Sequence, residues 1–175
     1  GDVQLTLAQK VPVTGAVIVT TPQDIALLDA RKGLKMFEKV EIPVMGVVEN
    51  MSTHICSKCG HEEHIFGEGG GRRMAEENDV DFIGSIPLDI RIREQTDGGK
   101  PTVVADPDGR LSQIYRDIAR RVAKIAGVTR VESVLVEGLA HAFPIRTGGT
   151  PSCGQAGDFV VAAEVCAASE IAPVA

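Results

Sequence analysis

Gly15 to Ser52 reads GAVIVTTPQDIALLDARKGLKMFEKVEIPVMGVVENMS, and the reading of this stretch decides the fold class. Gly15 to Thr20 is a short β-branched run, the composition of a strand, and Thr21-Pro22 closes it. Residues 23–40 then follow a helical period. Leu27, Leu34 and Phe37 are among the apolar positions, Lys and Arg lie between them, and Asp24 is placed to cap the start. Pro43 opens a second apolar run, Val44-Met45-Gly46-Val47-Val48, which ends at Glu49-Asn50.

Working outward, a polar loop containing Cys, His and Gly extends to Gly71, and a short helix is predicted from about Arg72 to Glu77. Phe82-Ile83-Gly84 reads as a third strand, stopped by Pro87, and residues 88–96 as a further helix. The clearest helix places Leu111, Ile114, Ile118, Val122 and Ile125 at helical spacing. Strands alternating with helices predict an α/β fold, a mostly parallel sheet with helices on both faces. Ligands of such sheets sit at the carboxyl ends of the strands. Thr20 to Gln23, Asn50 to Ser52 and Ser85 to Asp89 are the segments at those ends.

The chain has 175 residues, 43% of them hydrophobic and 24% charged, enough to bury one domain's core. Its net charge of −6 argues against non-specific nucleic-acid binding, which needs clustered Lys and Arg. With no Trp and a single Tyr, there is little to stack bases. No apolar stretch approaches the ~20 residues that span a bilayer. Gly1-Asp2-Val3-Gln4 has neither a Met nor the basic start of a secretory signal, so the expectation is a cytoplasmic chain that begins inside something longer. Residues 1–127 hold all but two of the 18 Lys and Arg. Residues 128–175 are rich in Ala, Val and Gly, which marks a candidate domain boundary near Gly127.

The segment that carries chemistry is His54-Ile55-Cys56-Ser57-Lys58-Cys59-Gly60-His61-Glu62-Glu63-His64. Two thiolates three positions apart bind one metal ion, or two irons of one cluster, from a single turn. Lys58 and the turn's backbone N–H groups favour the thiolate form, and Gly60 lets the chain reverse. Closed zinc sites and cubane clusters want four ligands, and this motif supplies two. Three readings stay open on the residues alone. Two copies of the chain share a cluster; or His61 or His64 completes a zinc knuckle, a protein-interaction module; or the pair is an unmetallated loop or a redox dithiol. Neither G-x-x-x-x-G-K-[ST] nor G-x-S-x-G occurs. Gly67 to Gly71 and Gly98 to Lys100 read as loops.

The text GDVQLTLAQ, VIVTTPQDIALLDARKGLKMF, VMGVVENMS, CSKCGHEEHIFGEGGG, FIGSIPLDIRIRE and DGGKPTVVADPD resembles the C-terminal half of the Mrp/ApbC iron–sulfur cluster carriers, over residues 1 to about 126. These are relatives of MinD among the P-loop ATPases. The resemblance implies a partial MinD-like P-loop NTPase fold, without its N-terminal strands and phosphate loop. It implies a homodimer that holds a [4Fe–4S] cluster and hands it, with ATP and Mg, to apo iron–sulfur proteins. By match of motif Cys56 and Cys59 would be the cluster ligands, with the same pair of a second subunit. Asn50 would recognise the adenine, Pro87 would line the base pocket, and Asp2 would end the switch segment. The phosphate-binding Gly/Lys loop and the Walker B Asp are not in the sequence. This polypeptide alone is therefore expected neither to hydrolyse ATP nor to bind it well.

The tail is similar to something else. VESVLVEGLAHAFPI and CGQAGDFVVAAEVCAASEIA resemble the C-terminal end of a polyhydroxybutyrate-depolymerase-type esterase, an α/β-hydrolase, in which His141 would be the catalytic His. That resemblance makes Cys153 and Cys166 remnants of a disulfide. His141 has no nucleophile elbow beside it and so nothing to activate, which makes an esterase fragment the weaker alternative. Two half-domains from unrelated families are the pattern expected of a gene fragment or fusion with open sheet edges.

Overall fold

A computed structural model describes residue 6, residues 9–56 and 58–127, and residues 143–144 and 159–164. Its main sheet is built from β1 (Val13–Thr20), β2 (Val44–Glu49), β5 (Phe82–Ser85), β6 (Phe143–Pro144) and β7 (Phe159–Glu164). A separate two-stranded ribbon is formed by β3 (His54–Ile55) and β4 (Glu62–Glu63). The helices that connect or cover them are α1 (Asp24–Lys39), α2 (Gly70–Glu77), α3 (Ile90–Asp97), α4 (Thr102–Ala105) and α5 (Arg110–Ile125). The order in the sheet is β5-β2-β1-β7-β6, with β1, β2, β5 and β7 parallel and β6 antiparallel to β7.

The β-branched run of β1 makes sense in this position. Successive side chains of a strand point to opposite faces, and both faces are covered. Ala16 and Ile18 join Leu27, Ala30, Leu34 and Phe37 of α1 and Met74 and Ala75 of α2 in one buried cluster. Val17 and Val19 join Met45, Val48, Ile83 and Ile86 on the other face, under Ile114, Ile118 and Val122 of α5. Fully burying each large apolar side chain contributes about 1.5–3 kcal/mol, so Leu27, Leu34 and Phe37 supply most of what anchors α1. Gly84 lets α5 approach β5 closely, since a Cβ there would meet Ile118 Cγ1 at 2.9 Å.

Three local expectations change. Asp24 is the first helical residue of α1, and Gln23 is the N-cap without a side-chain cap bond. The Asp24 carboxylate therefore acts on the helix dipole from the first turn. Helix α2 begins at Gly70, inside the Gly-rich stretch read as a loop. Its glycines are required by close packing: a Cβ on Gly70 would meet Leu27 Cδ1 and Pro22 O at 2.7 Å. Helix α3 starts later than residue 88, because Asp89 accepts from the Arg91 N–H and serves as its cap.

Candidate functional site: the strand ends and the thiolate hairpin

The carboxyl ends of β1, β2 and β5 meet at one edge of the sheet, as the sequence predicts. Asn50 donates its N–H to Thr20 O at 2.7 Å, and Ile86 donates its N–H to Glu49 O at 2.8 Å. Ser52 donates both its N–H and its Oγ to Ile86 O, at 3.1 and 3.2 Å. These bonds set Asn50 and Pro87, two of the predicted nucleotide residues, on adjacent segments, and both are buried. Asn50 Oδ1 accepts the Met51 N–H at 2.9 Å, and Met51 takes the left-handed conformation at φ 55°. The turn after β2 is consequently tight, and the chain is redirected at once toward the cysteines. The third predicted nucleotide residue, Asp2, and the predicted His141, Cys153 and Cys166 lie outside the described residues. A cleft of about 360 Å³ lined by Asp81, Phe82, Ile83, Arg121, Lys124 and Ile125 opens at the start of β5, the opposite end from these residues.

The cysteines sit on a hairpin. Strands β3 and β4 pair antiparallel, His54 with Glu63 and Ile55 with Glu62. Cys56 donates its N–H to His61 O at 2.9 Å, and Gly60 donates its N–H to Cys56 O at 2.8 Å. Gly60 has φ 71° with open space around it, so its left-handed turn is what closes the tip. Both thiols are free, Cys56 half-buried and Cys59 exposed. The Cys56 thiol is held below its ordinary value, chiefly by the Lys58 backbone N–H, then by the backbone N–H and side chain of Cys59; burial and the Glu63 carboxylate oppose. Lys58 thus acts through its amide, where the sequence suggested its charge as well.

His61 is tied to Cys56 through its backbone O, and the rings of His64 and His54 have partners of their own. His64 Nδ1 lies 2.9 Å from Ser52 O and its Nε2 3.8 Å from Glu68 Oε1, while His54 Nδ1 lies 3.2 Å from Glu63 Oε1. Among the described residues no group of three or more His, Cys, Asp or Glu is placed to hold one metal ion. One chain therefore offers a metal or cluster two soft donors on an exposed tip. The hairpin is also tied to the third strand end: Leu88 donates its N–H to Thr53 O at 2.7 Å, and His54 bridges Leu88 in parallel.

Sequence reasoning missed one residue of this region. Glu49 is 3% exposed, and its Oε2 accepts the Gly71 N–H at 2.6 Å. A Cβ on Gly71 would come within 3.1 Å of Glu49 Cβ and Oε2, so glycine is what lets the helix start seat on this carboxylate. The signal was present as a charged residue ending an otherwise apolar strand, next to Asn50.

Comparison with known proteins identifies the family of residues 1–123. The ParA-type family described as NUBPL iron-transfer P-loop NTPase matches residues 1–123. An iron-sulfur cluster carrier protein of Pseudomonas fragi is 65% identical over 119 residues, covering 68% of this chain and 42% of that protein. The one from Escherichia coli K12 is 61% identical over 123 residues, covering 70% and 33%, and the mouse iron-sulfur cluster transfer protein NUBPL is 50% identical over 124 residues, covering 71% and 39%. This chain thus spans well under half the length of the curated relatives it matches. Among solved structures, a nucleotide-binding protein of Archaeoglobus fulgidus in complex with ADP superposes with a TM-score of 0.54 at 33% identity, covering 66% of this chain and 46% of that one. MinD of Pyrococcus horikoshii, with Mg-ADP, gives a TM-score of 0.52 at 26% identity, covering 67% and 44%. The fold is that of the MinD-like P-loop NTPases, and the chain belongs to the NUBPL family of iron-transfer P-loop NTPases.

Proposed function

We propose that this chain carries a [4Fe–4S] cluster as cargo between two copies of itself, Cys56 and Cys59 supplying two thiolates from each, and delivers it to apo iron–sulfur proteins in the cytoplasm. The observation that carries the reading is the hairpin tip. It presents two free thiols, one of them already biased toward thiolate, at the protein surface. A cubane cluster takes four thiolates, so a second copy of the same tip completes the set. Surface exposure suits a cargo site, because an acceptor's thiols must reach the iron to displace these ligands.

The nucleotide side of the reading rests on Asn50, Pro87 and Asp2. Asn50 Oδ1 is held by the Met51 N–H, which leaves the side-chain NH2 as the group that recognises a base, with buried Pro87 as an apolar wall beside it. Asn50 and Pro87 account for base recognition of ATP, and Asp2 is proposed as the end of the switch segment. Phosphate and Mg binding belong to a Gly/Lys loop, which does not occur in residues 1–175.

Anaerobic reconstitution with iron and sulfide tests the cargo. The expected product is a dimer with about four irons and four acid-labile sulfides per two chains, absent from Cys56→Ser and Cys59→Ser. Zinc bound at one per chain without sulfide would replace the carrier reading with the interaction module.

A further inference from the structure

The thiolate hairpin belongs to a long excursion that leaves the sheet after Glu49 and comes back at Gly71. One foot is a set of backbone bonds, Asn50 to Thr20, Ser52 to Ile86 and Leu88 to Thr53. The other foot is the start of α2, where Gly70 lies close against Leu27 and Pro22, Met74 and Ala75 join the core, and the Glu49 carboxylate accepts the Gly71 N–H at 2.6 Å. Burying a carboxylate costs free energy unless it is strongly hydrogen-bonded. A helix start needs no such group when a local Ser or Asp caps it, yet the cap position here is Gly69, with no side-chain bond. The carboxylate comes instead from the last residue of β2, immediately before Asn50. Charge-assisted bonds of this kind are short and strong, and the helix dipole adds to them.

We infer that Glu49 is the positioning residue that couples the strand end carrying Asn50 to the hairpin carrying Cys56 and Cys59. The inference rests on the cluster-carrier reading for its purpose but not for its geometry. A shift of the β2 end moves Asn50 and the Glu49 carboxylate together, and through Gly71 it moves the returning limb of the loop.

The test uses the full chain without cluster, so that it does not depend on the carrier reading. Alkylation rates of Cys56 and Cys59 and hydrogen exchange across residues 50–71 are measured for wild type, Glu49→Ala, Asn50→Ala and the double variant. In Glu49→Ala, exchange at the Gly71 amide is expected to rise about tenfold, with β1 and β2 protected as in wild type. The alkylation effects of the two single variants are expected to be non-additive. Glu49→Gln keeps an acceptor and is expected to restore part of the protection; it also serves if the alanine variant fails to fold. Unchanged exchange at residues 64–71 in both Glu49 variants, or strictly additive alkylation effects, would overturn the coupling. Intact coupling in a chain that then takes up no iron and sulfide would instead overturn the carrier reading alone.

Discussion

Cys56 and Cys59 differ although they share one turn. The Lys58 and Cys59 amides, with the Cys59 side chain, hold the Cys56 thiol below its ordinary value, while Cys59 itself is exposed. The thiolate is the nucleophile, so its share grows as pH rises through the thiol's pKa, and a lowered pKa moves that rise to lower pH. Iodoacetamide labelling at neutral pH should therefore modify Cys56 severalfold faster than a free cysteine. Peptide mapping after a short pulse checks this. Cys59→Ala should keep most of the effect, since two of the three stabilising contacts are, or include, backbone N–H groups that survive the change. Equal labelling of Cys56 and of a free thiol over the whole pH range would contradict the geometry described.

Elements set how these residues meet, and here the limits of reading a sequence are physical. The strands β1, β2 and β5 were legible as short apolar runs closed by Pro or polar residues, and the helices α1 and α5 because their apolar positions run long enough to show a helical period. The Cys pair was legible because its spacing is itself the chemistry. The hairpin of β3 and β4 was not, since two-residue strands carry no period and it is held by bonds to Thr53 and Leu88 from outside. The start of α2 was hidden for a different reason. Gly70 and Gly71 are poor helix formers, and they are there for close packing on Pro22, Leu27 and Glu49. Glu49 itself read as the polar end of a strand. Helix α3 offers a check on local capping: Asp89 accepts the Arg91 N–H at 2.9 Å and pairs with the Arg91 guanidinium at 2.7 Å, which holds its carboxyl below the usual value. Asp89→Ala should cost about 1 kcal/mol, the typical worth of such a cap, measured by urea unfolding near neutral pH. A depressed folded pKa contributes stability above the unfolded Asp value, about 3.9, that is lost as pH falls through the folded one. The difference between wild type and variant should accordingly shrink in acid.

At the scale of the molecule, β1 is a strand with two neighbours. Strand β2 covers one edge, and β7, from the stretch after Gly127, covers the other in parallel register, Ala16 opposite Val161 and Ile18 opposite Ala163. The sequence expectation of an open edge thus meets a sheet in which residues 159–164 occupy that edge. An interior strand stripped of one partner presents unpaired N–H and C=O groups to other chains. Ending the chain after Gly127 should leave β1 in that state. Size-exclusion chromatography is expected to show self-association, and dye binding newly exposed apolar surface. A truncated chain that stays monomeric with an unchanged melting temperature would show that β7 contributes nothing to the sheet. No helix among the described residues is long and apolar enough to cross a membrane.

The bond between Glu49 and Gly71 has a further consequence. It closes residues 49–71 into a ring hung from the rim of the sheet, and the backbone inside that ring carries no strand of the main sheet. Inside the ring the β3–β4 pairs and the turn at Gly60 fix the chain's own geometry, so the thiols are carried by a unit whose register is independent of the main sheet beneath it.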